Sequence, residues 1–598
     1  MRQAFSRRGA DESDVILHHD LLIGQATLYN TPESRYEHLP LRRGVYLLAM
    51  DARIDNREEL ARVLELPDRP SAEIGDSEFI LAAYAKWGEA CAEKLLGDFA
   101  FVLWDASRNV LFCARDFIGV RPFYYHIDSD RFLFGSDLEA LIVASGIRPT
   151  LRDESLAVYI AHRQLVDPRH TFFREFKRLE GGYTMTVARE HVRFRRYWDP
   201  VRVDGGRDLR SREAWVDAIR HTFEDAVRVR LRSRYPVAAH LSGGLDSSPI
   251  AVSAARSLSS SGYRLPVYSW QPRPEAGDNL NHFEWAYALE TARRESMELH
   301  FSDLTAEKIR EGMRTHNLLT ERGSALWYEI DIRRDLRRRG VRTMLSGWGG
   351  DEFLSNHGYA FYPQMLLEGR WLRFARALRA RIATWGMSRR EIIKFLYLQV
   401  AVPLLPDTWY CHLPYLHRRC GKNEDLNRYR PEFAPLVAEA YRKKNHIFNR
   451  YTSATVRRDL LRAWENGHVQ ARLNHWSQEA RDVPMEYAFP LLDRRLVELS
   501  FSLPARWLIA DGYDRRIYRD AMKPYLSADL LWGTHKREPK RWRRISEVLR
   551  ELADLLPEES VEGDRYWRDT KDLSIEERIA RYYFLSSCQN LDEFLIKN

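Results

Sequence analysis

Short apolar runs separated by polar turn residues fill the first 200 residues of the chain. The clearest of these runs span residues 44–50, 99–104 and 131–134. Short apolar runs between turn residues predict β-strands. We therefore expect the N-terminal part of the chain to be rich in strands.

The pattern changes after about residue 200, where short apolar runs alternate with longer helical patterns. The runs at residues 236–241, 266–270 and 341–345 each precede a helical pattern, and the chain beyond residue 360 is mostly helical. Alternating strands and helices predict a parallel sheet with helices on both faces. The polar stretch after residue 197 is typical of a junction. We expect two domains, formed by residues 1–200 and 201–598.

Length and charge limit the classes of function. The chain has 598 residues, more than one hydrophobic core accommodates. Its net charge of +8 comes with no basic tail or RNA-binding motif, which argues against nucleic acid but permits an anionic nucleotide. Five cysteines without CxxC spacing, and histidines without a ligand pattern, predict no zinc site and suit a reducing cytoplasm.

No secretory signal or transmembrane segment is predicted, so we expect a cytoplasmic protein. The longest apolar stretch, residues 392–405, contains a lysine, a glutamine and a proline, and spanning a bilayer takes about 20 apolar residues. We expect a buried helix there, with a peripheral membrane contact as the alternative. The basic stretches at residues 333–339 and 370–381 are interpreted as solvated helix faces, with docking of an acidic peptide or partner protein as the alternative.

The segment with the clearest chemistry is LSGGLDSS at residues 241–248, between an apolar strand and a helix. Two glycines let the backbone aim successive N–H groups at one point, and the helix N-terminus adds unpaired N–H groups. The spacing and lysine of a Walker A loop are absent. SGGxDS after a strand is typical of N-type ATP pyrophosphatases, and a glycine turn with a Ser or Asp helix cap is the alternative. The expected phosphate-binding residues are Ser242, Gly243, Gly244, Asp246, Ser247 and Ser248.

A second loop, LSGWGGDE at residues 345–352, follows the strand predicted at residues 341–345. In a doubly wound sheet such loops gather at the carboxyl edge, where ligands bind. Asp246 and Asp351 would then face one Mg²⁺, which prefers carboxylates, phosphate oxygens and water. A capped glycine turn is again the alternative.

Together the two loops resemble the synthetase domain of the asparagine synthetase family. Further synthetase-like segments follow in the family's order at residues 486–493, 499–504, 516–519 and 530–536. Segments that resemble its glutaminase domain lie at residues 51–57, 75–78, 97–101, 114–122 and 134–137.

The resemblance implies an Ntn-type αββα sandwich followed by an α/β ATP-pyrophosphatase domain of the adenine nucleotide α-hydrolase kind. It also implies an ATP- and Mg²⁺-dependent, AMP-forming amide ligase. The residues that it places around adenosine are Leu241, Ser269 or Trp270, Ser346 and Gly347.

The N-terminus departs from the family pattern. A working glutaminase of this kind begins Met-Cys-Gly-Ile and uses that cysteine as its nucleophile. Here the second residue is Arg2 and the first cysteine is Cys91. We expect a structural relic that does not hydrolyse glutamine, with a misassigned start codon as the alternative. The attacking amine would then come from another source.

The residue at position 348 gives information about the source of the attacking amine. Asparagine synthetases have Glu there and β-lactam synthetase has Tyr, whereas this chain has Trp348, a large flat wall that suits a bulky peptide. SGWGGDE resembles lasso-peptide cyclases, which join a core peptide's N-terminal amine to an Asp or Glu side chain. That resemblance implies a precursor peptide, a leader peptidase and a leader-recognition protein as partners. The alternatives are packing of Trp348 between sheet and helix, an amide ligase using ammonia or another small amine, and a non-catalytic scaffold.

The resemblance also implies catalytic side chains. Lys536 would stabilise charge on pyrophosphate and on the tetrahedral oxyanion, and a surface lysine is the alternative. Glu486 would act as the base or orient it, with Tyr359 as a partner. The alternative for Glu486 is a buried salt bridge to an arginine such as Arg494.

Overall fold

The computed structural model describes most of the chain. The described stretches are residues 10–162, 164–204, 209–271, 285–315, 326–406, 426–447, 453–480, 483–533 and 540–556. Residues 273, 409, 566–567, 575, 578–579, 581–583 and 585–586 are also described.

The N-terminal half is built on antiparallel strands, as the apolar runs predict. Its strands are β1 Glu12–His18, β2 Leu21–Thr27, β3 Leu41–Arg43, β4 Tyr46–Ile54, β5 Gly97–Asp105, β6 Val110–Arg115, β7 Tyr124–Ile127, β8 Phe132–Gly135, β9 Lys177–Arg178, β10 Tyr183–Val187 and β11 Val192–Arg196. One sheet has the order β11–β10–β6–β5–β4–β3 and a second the order β8–β7–β9, while β1 and β2 form a hairpin.

Helices cover both outer faces of these two sheets. They are α1 Arg57–Ala61, α2 Asp76–Trp87, α3 Cys91–Lys94, α4 Leu138–Ser145 and α5 Asp153–His162. Phe79 of α2 packs with Leu103 on the outer face of the six-stranded sheet. Val102 and Tyr125 fill the space between the sheets, and Tyr124 faces α4 and α5. These four layers confirm the expected αββα sandwich.

A five-stranded parallel sheet forms the centre of the second half. Its strands are β12 Val237–His240, β13 Pro266–Ser269, β14 Glu298–Phe301, β15 Thr343–Leu345 and β16 Glu486–Ala488. The order is β14–β13–β12–β15–β16, with Ala239 beside Leu345 and Leu345 beside Ala488. Parallel pairing places the ends of β12 and β15 side by side, so their following loops meet at one edge.

The remaining described helices surround this sheet and extend beyond it. They are α6 Arg212–Arg230, α7 Ser247–Leu258, α8 Trp285–Arg294, α9 Ala306–Thr315, α10 Glu329–Arg338, α11 Phe361–Leu367, α12 Trp371–Trp385, α13 Arg389–Phe395, α14 Ala434–Ile447, α15 Val456–Glu465, α16 His468–Glu479, α17 Arg494–Ser502, α18 Arg516–Ala521, α19 Ala528–Trp532 and α20 Lys540–Leu555. Phe117 and Trp198 of the first half belong to the same buried core as the parallel sheet. The two halves therefore share an apolar interface.

The apolar stretch at residues 392–405 is helical but only partly buried. It continues α13 through a π turn and a 3₁₀ turn, with Phe395 and Leu398 buried. The expectation of a buried helix is wrong at Ile393, which is 68% exposed because it lies on the outer face of α13. Among the described helices, none is long and apolar enough to cross a membrane.

Candidate active site

The phosphate-loop motif forms a tight turn at the carboxyl edge of the parallel sheet. β12 ends at His240 and α7 begins at Ser247. Gly243 has φ of +84°, a left-handed conformation that glycine adopts without strain. The N–H of Ser242 donates to Oγ of Ser247 at 3.0 Å, and the two hydroxyl oxygens lie 2.8 Å apart. These contacts stabilise the turn in front of the N-terminus of α7, where helix N–H groups can bind an anion.

The second loop, after β15, packs directly onto the first. A Cβ atom on Gly347 would lie 2.6 Å from the backbone nitrogen of Ser247. A Cβ atom on Gly350 would lie 2.7 Å from Oδ1 of Asp246. Only glycine leaves room for this approach, so the two motifs, about a hundred residues apart in sequence, form one site.

Asp246 and Asp351 both contact the same guanidinium group. Nη2 of Arg515 lies 2.5 Å from Oδ1 of Asp351, and Nη1 lies 3.7 Å from Oδ2 of Asp246. Oδ1 of Asp246 is buried without a hydrogen-bond partner in the described structure. Burial, and then the neighbouring Asp351 carboxylate, raise the pKa of Asp246 above its ordinary value, while Arg515 opposes the shift. Two crowded carboxylates with an unpartnered oxygen fit a site for Mg²⁺.

The residues expected around adenosine lie at the same edge. Leu241 and Ser269 are fully buried at the ends of β12 and β13. Oγ of Ser346 accepts the N–H of Trp348 at 3.2 Å and lies 3.1 Å from Nδ1 of His240. Ser248 is also fully buried, and its hydroxyl has no partner in the described part of the chain. The fold therefore brings these residues together; their binding of ATP stays a prediction.

The sequence reasoning missed a buried carboxylate beside this edge. Glu329 of α10 is completely buried and accepts the Tyr487 hydroxyl at 2.8 Å. Nε2 of His240 lies 3.0 Å from the Glu329 carboxylate, and the indole N–H of Trp270 also donates to it. Burial disfavours the charged form, but His240 holds the pKa of Glu329 below its ordinary value. The only sequence signal was a histidine in the otherwise apolar strand at residues 236–241.

Arg515 was also missed, although it directly precedes the segment at residues 516–519 that resembles the family. Its backbone is left-handed, with φ of +54°, at the start of α18. Nη2 of Arg515 lies 2.8 Å from Nε2 of His357. The pair of adjacent arginines was the available signal, but sequence alone does not indicate which arginine turns toward the aspartates.

Tyr359 lies beside Arg515. Its hydroxyl donates to Asp514 at 3.1 Å and accepts from Arg381 at 3.4 Å. Its ring stacks on His357 with centroids 5.2 Å apart. Burial, and then Asp514, raise the pKa of the Tyr359 phenol.

Glu486 belongs to a separate network at the interface between the two halves. Arg121 binds its carboxylate, and Nη1 of Arg53 lies 3.5 Å from it. Burial alone would raise the pKa of Glu486, but the two arginines hold it below its ordinary value. This agrees with the ion-pair alternative, although with Arg53 and Arg121 rather than Arg494, which instead contacts Glu498. Neither a base nor a base-orienting role for Glu486 is tested. Lys536 lies outside the described residues, so its role also stays a prediction.

Trp348 is half-buried between two aromatic neighbours. Its ring meets Phe489 edge to face at 6.1 Å and lies 6.0 Å from the ring of His468, the first residue of α16. One side of the indole therefore packs between sheet and helix, as the packing alternative expects. The rest of the indole is partly exposed, and Trp348 belongs to the same loop as Asp351.

Comparison with known proteins agrees with this geometry. Residues 218–581 match the family described as asparagine synthase. The chain belongs to the asparagine synthase family. Residues 1–198 match the family described as glutamine amidotransferase domain, and membership makes the chain an ATP-dependent amide ligase by class.

Several curated relatives span most of this asparagine synthase family chain. Asparagine synthetase [glutamine-hydrolyzing] 3 of Bacillus subtilis (strain 168) is 26% identical over 90% of this chain and 83% of its own length. A putative asparagine synthetase [glutamine-hydrolyzing] of Mycobacterium tuberculosis (strain ATCC 25618 / H37Rv) is 31% identical over 86% and 79%. Amidase chyE of Penicillium rubens is 24% identical over 83% and 78%.

Proposed function

We propose that this asparagine synthase family member is an ATP- and Mg²⁺-dependent lasso-peptide macrocyclase. It would adenylate an Asp or Glu side chain of a core peptide for attack by the peptide's N-terminal amine. The observation that carries the proposal is Trp348, a partly exposed tryptophan in the loop that also carries Asp351. A flat indole next to the reaction site suits a large substrate better than ammonia.

The thiols of the N-terminal domain are consistent with an amine source other than glutamine. Cys91 and Cys113 are both fully buried. Burial raises the pKa of both thiols well above the ordinary range. A buried neutral thiol is a poor nucleophile, so neither of these two described cysteines fits glutamine hydrolysis.

The reaction has two steps. The substrate carboxylate attacks the α-phosphorus of ATP, and pyrophosphate leaves as the acyl-adenylate forms. The peptide's N-terminal ammonium then loses one proton, and the neutral amine attacks the acyl carbon. The carbon–nitrogen bond forms, the bond to AMP breaks, and the nitrogen loses a second proton. Mg²⁺ held by Asp246 and Asp351 would neutralise phosphate charge.

The protein's own groups would position these reactants. The backbone turn at Gly243 and the N-terminus of α7 would bind the phosphates. Arg515 would provide a fixed cation beside them. Because both reactants belong to one peptide, holding it folded with amine and adenylate aligned is worth roughly 7–11 kcal/mol of barrier. We further propose Lys536 as a second cation, and a cytoplasmic pathway with a leader peptidase and a leader-recognition protein.

Incubation with ATP, Mg²⁺ and the leaderless core peptide of a precursor encoded beside this protein's gene tests the proposal. The expected product is lighter than the peptide by one water, with AMP and pyrophosphate released. N-acetylated peptide should release pyrophosphate without forming a ring, since the amine is blocked. Absence of ring closure with the free peptide, together with pyrophosphate release from aspartate plus ammonia, would instead establish the small-amine ligase alternative.

A further inference from the structure

The turn between α11 and α12 carries large apolar side chains into solvent. Leu367, Trp371 and Leu372 are 61%, 64% and 83% exposed. Gly369 in this turn has φ of +69°, and a Cβ placed on it would have no neighbour within 4 Å. The turn therefore protrudes from the surface, and its apolar atoms have no covering element in the described structure. Surface apolar clusters of this kind mark interaction sites.

Arginines surround this apolar tip. Leu372, Arg376 and Arg379 are exposed at helical spacing along one stripe of α12, and Arg373 is exposed beside them. With a rise of about 1.5 Å per residue, the stripe extends roughly 10 Å from the tip. Within the described residues, none of these three arginines forms an ion pair. The nearby Glu368 is already neutralised by Arg370, whose Nε lies 2.9 Å from it.

We propose that this tip and its arginines bind an anionic membrane surface. Tryptophan and leucine beside unpaired arginines are the composition of interfacial helices, whose apolar residues enter the headgroup region while the cations meet anionic lipid. A turn that presents Trp and Leu to solvent can insert them into the headgroup region of a bilayer. The occupant that fits the charge and the shape is therefore a lipid bilayer.

The other face of α12 joins this surface to the active site. The indole N–H of Trp385 donates to the backbone oxygen of Gly512 at 2.9 Å, and the Thr384 hydroxyl donates to that of Asp511 at 3.0 Å. Arg381 contacts Tyr359. These partners flank Arg515, so membrane contact would hold one wall of the catalytic site close to the bilayer.

Vesicle sedimentation of the full-length protein tests this surface. We expect binding to vesicles in which about a third of the phosphatidylcholine is replaced by phosphatidylglycerol, and none to phosphatidylcholine alone. R373Q/R376Q/R379Q should lower the partition coefficient about 100-fold at low salt. W371A/L372A should lower it at least about tenfold, and added salt should weaken wild-type binding.

A matched control is the cross-strand pair Leu17 and Leu22 in the β1–β2 hairpin, which are 73% and 55% exposed. The double alanine variant of this pair should bind vesicles like wild type. Because all mutated side chains are exposed, each variant should keep the wild-type elution volume and thermal midpoint. Wild-type protein that stays in the supernatant with anionic vesicles, as expected of a docking site for an acidic protein, overturns the proposal. Equal binding by W371A/L372A and wild type overturns it as well.

Discussion

The guanidinium of Arg515 lies 2.5 Å from the carboxylate of Asp351, and the same group reaches Asp246 at 3.7 Å. One arginine therefore spans the two loops that the sequence pattern singled out. A site that holds two carboxylates against one cation can exchange that contact for a divalent ion and phosphate oxygens.

The first prediction concerns these carboxylates. Asp351→Asn should reduce ATP-dependent pyrophosphate release at least about 100-fold, because the proposed Mg²⁺ site loses one of two anionic ligands. Thermal stability should change little, since the Asp351 side chain is 60% exposed. Asp217→Asn is the control, because that carboxylate on α6 is 59% exposed and pairs with Arg220 at 3.3 Å. Undiminished pyrophosphate release in the Asp351 variant would contradict the site.

The second prediction concerns the contact between the two loops. Gly347→Ala would place Cβ 2.6 Å from the backbone nitrogen of Ser247, which forces the loops apart. We expect loss of nucleotide binding, measured by calorimetry with a non-hydrolysable ATP analogue. Gly24→Ala serves as the control, because its Cβ would meet only ordinary contacts at 3.5 Å. Wild-type affinity in the Gly347 variant would mean that the nucleotide does not use this edge.

The third prediction separates the two interpretations of Glu486. Removing its charge leaves Arg53 and Arg121 with less compensation at a buried interface, so Glu486→Gln should destabilise the protein by about 3 kcal/mol. Denaturant unfolding measures this loss, and Glu465→Gln, at an exposed ion pair with Arg458, should change stability by less than about 1 kcal/mol. An unchanged stability with intact adenylation but no amide product would instead identify Glu486 as a catalytic group.

The fourth prediction concerns Glu329. It accepts hydrogen bonds from Tyr487 and Trp270 and contacts His240 in a fully buried position. Glu329→Leu leaves those groups without their acceptor, and we expect a loss of about 3–5 kcal/mol. The thermal midpoint measures the effect. Glu307→Gln, which removes a carboxylate that is 63% exposed and pairs with Arg310, should leave the midpoint near that of wild type.

The fifth prediction is a pH dependence that originates at Glu37. Burial, and then the Asp76 carboxylate, raise the pKa of Glu37 to about 8. Because the folded pKa lies above the ordinary value, this group's stabilising contribution is complete below about pH 4.5 and is lost as pH rises through 8. Glu37→Gln keeps an acceptor for the Ser77 N–H, which donates to Oε1 at 2.9 Å. The variant's thermal midpoint should fall less than that of wild type over this range, whereas exposed Glu58→Gln should leave the slope unchanged.

Local pattern was sufficient for much of the fold. The runs at residues 44–50, 99–104 and 236–241 lie in β4, β5 and β12, because burial on a pleated surface demands apolar residues at short range. The glycine and aspartate motifs likewise indicated the two site loops, since close backbone approach and phosphate binding require those residue types. Because loops that follow parallel strands gather at the carboxyl edge of the sheet, the two loops were expected to lie together.

What the sequence by itself determined is therefore the element types, the family and the two loops. Tertiary structure alone decided that Arg515, rather than its neighbour Arg516, turns toward Asp351, and that Glu486 pairs with Arg53 and Arg121. It also decided that the Glu329 carboxylate contacts His240 and that the side chains of Trp371 and Leu372 are exposed to solvent. The physical reason is that long-range ion pairs and side-chain exposure depend on which surfaces meet after folding. The local pattern of apolar and polar residues does not specify those contacts.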